Sequence, residues 1–133
     1  MSAHLTLQPP SWPRPKGYAN GIAARGRMVF TAGVIGWDAD EVFRADDFIG
    51  QFRRILRSTL AILHEAGAGP EHVVRMTWYV VSRDEYLAHA REVGAVWREL
   101  MGRNYPAMAV VEVAGLVEPA ARLEIETTAV VPE

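Results

Sequence analysis

The clearest pattern along the chain is a helical stripe of apolar positions that follows two acidic residues, Asp46 and Asp47. Acidic side chains are favoured at a helix N-terminus, where backbone N–H groups are unpaired and the helix dipole is positive. The stripe recurs every three or four residues and consists of Phe48, Phe52, Ile55, Leu56, Thr59, Leu60 and Leu63. Gly67 and the Gly69-Pro70 pair are typical of a helix end, so a helix of about 18 residues is predicted.

A second helix is predicted from Ser82 to Gly102, between two strands. Ser82 and Glu85 match a capping box, in which the serine bonds forward and the glutamate bonds backward. The apolar face of this helix carries Tyr86, Ala90, Val93, Trp97 and Leu100. The flanking segments, residues 73–81 and 107–113, are rich in β-branched and aromatic residues, which favours strands.

Three further segments complete the order of elements. Residues 22–24 and 28–32 flank a glycine between two arginines, which predicts a β-hairpin. Residues 121–131 alternate apolar and polar side chains and are predicted to form the last strand. The proline-rich residues 1–15 are predicted to form an extended strap. The order β-β-α-β-α-β-β indicates a single α+β domain over residues 1–133, with two helices on one face of a mixed sheet.

The sheet face turned away from the helices is expected to be apolar as well. Along residues 73–81 apolar side chains occupy both faces, since Met76 and Trp78 alternate with Tyr79 and Val81. An uncovered face of this kind exceeds the apolar patch that monomers tolerate. The pattern therefore favours an oligomer that packs sheet against sheet, and the alternative is that the strap and loops cover this face.

Composition excludes several classes of function. Fourteen Lys and Arg against sixteen Asp and Glu give a net charge of −2, which does not favour nucleic-acid binding. The chain has no cysteine, so a disulfide, a thiolate nucleophile and a cysteine-based metal site are excluded. No apolar run reaches the length of a signal peptide or a membrane span, and a cytoplasmic protein without membrane association is expected.

Few residues match a known pattern for chemistry. The four histidines are scattered singly and do not fit a metal site, and Gly33 to Gly36 is too short for a phosphate loop. Glu124 and Glu126 project from the same side of the last strand. The pair fits a solvent-facing strand with a local ion pair. It equally fits a partly dehydrated carboxylate at a subunit interface, where a raised pKa would allow proton exchange with water or a substrate nitrogen.

The chain resembles the RidA/YjgF family of imine and enamine deaminases. The resemblance covers most of the sequence and is strongest at residues 105–114 (YPAMAVVEVA) and 123–126 (LEIE), with further matches at residues 16–20 and 28–33. It implies a chorismate-mutase-like sandwich, assembled as a homotrimer around a barrel-like core with clefts between subunits. It implies a small-molecule substrate. Neither a metal nor a cofactor is expected, since no group of residues fits one.

The resemblance also assigns roles to individual residues. Glu124 is expected to position the water that attacks a C=N bond, and Tyr18 to close the pocket, whose substrate-binding residues include Gly33 and Val110. Met108 occupies the position at which the family has the arginine that holds the substrate carboxylate, and a thioether cannot replace that charge-assisted bond. Either the substrate lacks a carboxylate, or another arginine reaches the site, or the site only binds. The candidate arginines are Arg103, Arg25 and Arg122.

These residues leave three functions to compare. The first is a RidA-like hydrolase with an atypical substrate, because Met108, Val110 and Ala90 make the pocket more apolar than is usual in the family. The second is a non-catalytic small-molecule-binding or chaperone-like trimer. The third is a ribonuclease, an activity attributed to this family, which the negative net charge disfavours.

Overall fold

A four-stranded mixed sheet with helices on one face organises the computed structural model, which describes residues 4–133. The elements in chain order are β1 (Leu5–Leu7), β2 (Gly21–Ala23), β3 (Arg27–Phe30), α1 (Phe48–Glu65), a 3₁₀ turn (Pro70–His72), β4 (Val73–Val80), α2 (Arg83–Ala88), α3 (Ala90–Met101), β5 (Ala107–Glu112) and β6 (Leu123–Val131). The sheet order is β3-β6-β4-β5, and only the β4–β5 pair is parallel. The predicted α+β class is confirmed.

Helix α1 begins and ends where the sequence predicts. The Asp47 side chain accepts a hydrogen bond from the backbone N–H of Gly50 at 3.1 Å and caps the N-terminus. At the other end Gly67 adopts a φ of 69°, a left-handed conformation that glycine takes at little cost. The N–H groups of Gly67 and Ala68 donate to the carbonyls of His64 and Leu63, which is a Schellman motif.

The core lies between α1, α3 and the helix-facing side of β4 and β6. Met76 and Trp78 of β4 are almost completely buried, as is Ile125 of β6, which stands opposite Trp78. The ring of Phe52 in α1 packs against Trp78, with ring centroids 4.9 Å apart. Each large apolar side chain buried in this way contributes about 1.5–3 kcal/mol relative to leaving it exposed. This packing fixes β4 and β6 as the rigid centre of the sheet.

The predicted hairpin between residues 22–24 and 28–32 is wrong. Strand β2 pairs with β1, and β3 pairs with β6, where Val29 stands opposite Ala129. Gly26 has a φ of 145°, and a Cβ there would come within 2.1 Å of the Val131 carbonyl oxygen. The glycine therefore brings β3 against the end of β6 instead of turning it back on β2. The predicted strap contains β1, and its residues 1–3 lie outside the described residues.

The predicted second helix is divided at His89. Its φ of −108° and ψ of 14° end α2, and α3 restarts at Ala90. The imidazole explains the break, because Nδ1 lies 2.8 Å from the Glu85 carbonyl oxygen and the ring stacks on Phe48. Ser82 caps α2 as predicted by accepting from the Glu85 N–H, but the Glu85 carboxylate binds Arg122 instead of completing the capping box.

The sheet face turned away from the helices, here called the open face, is more polar on β4 than expected. Its β4 side chains are Arg75, Thr77 and Tyr79, so the expectation of a strand that is apolar on both faces is wrong. Apolar surface on the open face comes from the outer strands instead. Met28 and Phe30 of β3 are 58% and 66% exposed, and Val111 of β5 is 41% exposed. Within residues 4–133, no helix combines the length and apolar character needed to cross a membrane.

Candidate functional site

Glu124 and Gly33 come together on the open face. Val34 exchanges two backbone hydrogen bonds with Ile125, at 2.8 and 3.0 Å, and this bridge brings the preceding residue alongside Glu124. A Cβ added at Gly33 would stand 2.0 Å from Oε2 of Glu124, so a larger residue at position 33 would require the carboxylate to move. The Glu124 carboxylate therefore lies directly against exposed backbone.

The two glutamates of β6 differ in their partners. Oε1 of Glu126 accepts a 2.6 Å hydrogen bond from the Tyr79 hydroxyl, and this bond raises the pKa of Tyr79 above its ordinary value. The Glu124 carboxylate has neither a hydrogen-bond donor nor an ion-pair partner among the described side chains and backbone. Of the pair that the sequence singles out, Glu124 is thus the one available to a water molecule or ligand.

A cleft of about 540 Å³ opens on the other side of the sheet, between α3 and strands β4 and β5. Tyr18, Met108 and Val110, three of the predicted substrate-binding residues, line it together. Tyr18 reaches the cleft because the neighbouring Ala19 donates a 2.9 Å backbone hydrogen bond to Pro106 at the start of β5. The rest of the lining consists of Lys16, Gly17, Trp78, Tyr86, Ala90, Val93, Gly94, Trp97, Arg98 and Tyr105.

The predicted site residues therefore form two groups on opposite faces of the sheet. Met108 stands beside Met76 in the parallel β4–β5 pair and packs against the core, on the side of the helices. Glu124 stands opposite Tyr79 on the open face. Because successive side chains of a strand point to opposite faces, the two groups do not meet within one chain.

None of the three arginines considered as carboxylate partners lines the cleft. Arg122 is engaged elsewhere, since it donates to Oε2 of Glu85 at 2.8 Å and to the Asp46 carbonyl. Arg103 lines an adjoining groove, and Arg25 is exposed in the segment between β2 and β3.

The cations that do line the cleft are Arg98 and Lys16, which the sequence reasoning missed. The sequence does contain a signal for Arg98. Ala90, Gly94 and Arg98 are spaced four residues apart in α3, which places them on one face of the helix. Lys16 directly precedes the Gly17-Tyr18 pair that the resemblance included. In the described range the structure brings together no cluster of three His, Asp or Glu side chains able to hold a metal ion.

The mixed sheet with helices on one face is a fold that this chain shares with solved structures of the Rid family. The chain matches the endoribonuclease L-PSP family over residues 13–131 and belongs to that family. It is 33% identical to a RutC family protein of Synechocystis over 130 residues, covering 95% of each chain. It is also 31% identical to a RutC family protein of Pyrococcus abyssi, covering 78% of this chain and 80% of that protein.

Solved structures agree with this assignment. A Rid-family protein of unknown function from Yersinia pestis has a TM-score of 0.83 and 27% identity, with 97% of this chain and 99% of that chain covered. A YjgF-family member from Mycobacterium tuberculosis has a TM-score of 0.65 and 34% identity, with 86% and 87% covered. The resemblance to the RidA/YjgF family is confirmed.

Proposed function

We propose that this chain is a RidA-like hydrolase of reactive imine or enamine metabolites. The supporting observation is the Glu124 carboxylate, which has no partner among residues 4–133 and lies against the backbone of Gly33. A carboxylate in this position orients a water molecule by accepting a hydrogen bond from it. The water oxygen adds to the carbon of the C=N bond, and the resulting carbinolamine expels ammonia and leaves a carbonyl product.

A complete site of this kind needs a second copy of the chain. Tyr18, Met108 and Val110 lie on the helix side of the sheet, whereas Glu124 lies on the open face. The residues that the resemblance assigns to one pocket meet if the open face of one copy borders the cleft of the next. The proposed assembly is a homotrimer, and exposed Met28 and Phe30 give the open face apolar surface for such a contact.

Met108 sets the expected substrate preference. Its thioether offers no bidentate hydrogen bond to a carboxylate, and charge-assisted hydrogen bonds contribute about 1.5–3 kcal/mol each. We expect slow ammonia release from small aliphatic 2-imino acids, such as 2-iminobutyrate generated in the assay. Met108→Arg is expected to raise this rate by tenfold or more. A wild-type rate equal to that of an arginine-bearing relative would contradict this role of Met108.

The function itself is tested at Glu124. Glu124→Gln keeps the size of the side chain and removes its charge, so turnover of the best imine substrate is expected to fall about 10²-fold or more. The matched control is Glu126→Gln, which alters the neighbouring carboxylate that already accepts a hydrogen bond from Tyr79. Equal turnover by wild type and Glu124→Gln would overturn the hydrolase proposal.

A second candidate is a non-catalytic binding protein. It is favoured by the lining of the cleft, where the side chains of Met108, Val110 and Trp97 provide neither a carboxylate nor a nucleophile. For such a protein, Glu124→Ala would change affinity at most. An RNA-cleaving activity, which the family's name suggests, is disfavoured by the net charge of −2. Absence of RNA cleavage by purified protein would remove that third function.

A further inference from the structure

The helix-side cleft is lined by two exposed cations that the proposed water attack does not use. Arg98 of α3 lines the cleft, and its guanidinium extends back along the helix, since a Cβ built at Gly94 would lie 3.9 Å from Nη1. Lys16 lines the same cleft from the N-terminal segment. Neither cation forms an ion pair with an acid of residues 4–133. The cleft therefore presents positive charge that the described part of the chain leaves uncompensated.

The remaining lining adds no opposing charge. No aspartate or glutamate of the described sequence lines the cleft. The cleft therefore contains two cations and no anionic side chain from the described residues, which favours an anionic ligand over a cationic one.

The walls of the cleft are rich in aromatic side chains. Trp97 stacks on Tyr105 with ring centroids 6.2 Å apart and planes 15° from parallel, and Met108 provides a flexible thioether nearby. Aromatic pairs and sulfur–aromatic contacts both add to the burial of a ring. The small residues Ala90 and Gly94 leave the α3 side of the cleft open. A volume of about 540 Å³ lies within the range of pockets that hold ring-bearing ligands.

From these contacts we infer that the cleft binds an aromatic ring bearing a carboxylate, with the ring between Met108 and the Trp97–Tyr105 stack and the carboxylate on Arg98. An arginine fork holds a carboxylate through two parallel hydrogen bonds. The inference rests on the proposed function in one respect. If the chain is an imine hydrolase, the substrate is the imine of an aromatic 2-oxo acid. The carboxylate-binding cation is then carried by α3 and not by β5, where Met108 stands.

The inference is tested by calorimetric binding of phenylpyruvate and of pyruvate, which shares the 2-oxo acid group but has no ring. Wild-type protein is expected to bind phenylpyruvate at least tenfold more tightly than pyruvate. Arg98→Met keeps an unbranched side chain, removes the charge and is expected to weaken phenylpyruvate binding at least tenfold. Arg98→Lys is expected to fall between the two. The matched control is Arg91→Met, which removes an exposed arginine of the same helix outside the cleft.

Two results would overturn the inference: phenylpyruvate binding that is unchanged in Arg98→Met, or equal affinity for pyruvate and phenylpyruvate. Failure of the hydrolase proposal is recognised separately. Glu124→Gln is expected to bind phenylpyruvate like wild type while losing imine turnover. Binding that depends on Arg98 in a protein without imine turnover would support the inference and contradict the hydrolase. The opposite result is imine turnover that is lost in Glu124→Gln but kept in Arg98→Met, with phenylpyruvate binding unchanged in Arg98→Met. It would support the hydrolase and contradict the inference.

Discussion

The backbone of Gly33 lies directly against the carboxylate of Glu124, so closely that a Cβ atom at Gly33 would stand 2.0 Å from Oε2. Real Cβ contacts are never this short, so any larger residue forces the carboxylate or the backbone to move. The backbone bridge between Val34 and Ile125 holds the segment after β3 at this spacing from β6. Gly33 is therefore a positioning residue for the carboxylate to which the proposed chemistry is assigned.

Gly33→Ala is expected to displace the Glu124 side chain and to lower turnover of an imine substrate about tenfold or more. The backbone of Gly33 is not in the left-handed region, so the substitution itself adds no conformational strain. Steady-state ammonia release measures the effect, with a thermal melt to verify folding. Gly115→Ala is the matched control, because a Cβ there meets nothing within 4 Å. Wild-type turnover by a folded Gly33→Ala protein would contradict the assignment.

Gln51→Leu is expected to destabilise the fold. The Gln51 side chain is fully buried, donates to the carbonyls of Ala45 and Ala120, and accepts a 2.9 Å hydrogen bond from the Arg122 N–H. Leucine leaves these backbone groups unpaired, and one buried unpaired polar group costs about 1–3 kcal/mol. Urea denaturation should show that the free energy of unfolding falls by at least this amount. An unchanged midpoint would show that water replaces the amide.

Thr59→Val is expected to stabilise the protein by about 1 kcal/mol. The Thr59 side chain is fully buried in α1, and its hydroxyl has no hydrogen-bond partner in the described chain. Valine has the same shape, keeps the packing and removes the cost of an unpaired polar group. The midpoint of urea denaturation should therefore rise, whereas Thr6→Val on the exposed strand β1 should leave it unchanged. A lower midpoint for Thr59→Val would contradict this account.

Asp38→Asn is expected to lower thermal stability at pH 7. The Asp38 carboxylate accepts a 2.6 Å hydrogen bond from Arg44 and bonds from the N–H groups of Asp40 and Val42. The bond from Arg44 holds the pKa of Asp38 below its ordinary value of 3.8. Because the folded pKa is the lower one, this stabilisation is complete above the ordinary value and disappears as the pH falls through the folded value.

Thermal melts across the acidic range measure this effect. The difference in Tm between wild type and Asp38→Asn should be largest near neutral pH and should shrink below about pH 4. Asp40→Asn changes an exposed carboxylate of the same loop and serves as the control. A difference that is independent of pH would assign the effect to hydrogen bonding alone and not to the charge of Asp38.

The sequence predicts an element correctly where residues within or next to that element determine its bounds. The α1 boundaries follow from Asp47, the apolar stripe and Gly67, all of which act within a few residues. The partner of β3 could not be predicted in this way, because Gly26 permits several turns and the choice of β6 over β2 depends on contacts across the whole chain. The break at His89 depends likewise on stacking against Phe48, some forty residues away in sequence.

The arrangement of the candidate site residues could not be predicted from the sequence. The resemblance selected Tyr18, Met108, Val110, Gly33 and Glu124, and the structure shows that they occupy two faces of one sheet. Spacing along a strand indicates which side chains share a face, but not which faces meet between copies. Arg98 was missed because it is an exposed charged residue of an amphipathic helix, and such residues ordinarily do no more than face solvent.

The joint at His89 has a consequence for the whole of α3. A helix turns by about 100° per residue, so the restart at Ala90 sets the rotational phase of every side chain that follows. Inserting or deleting one residue at the joint would swing Arg98 a quarter of the way around the helix axis without changing its chemistry. The direction in which Arg98 presents its charge therefore depends on the length of the joint as well as on the residue at position 98.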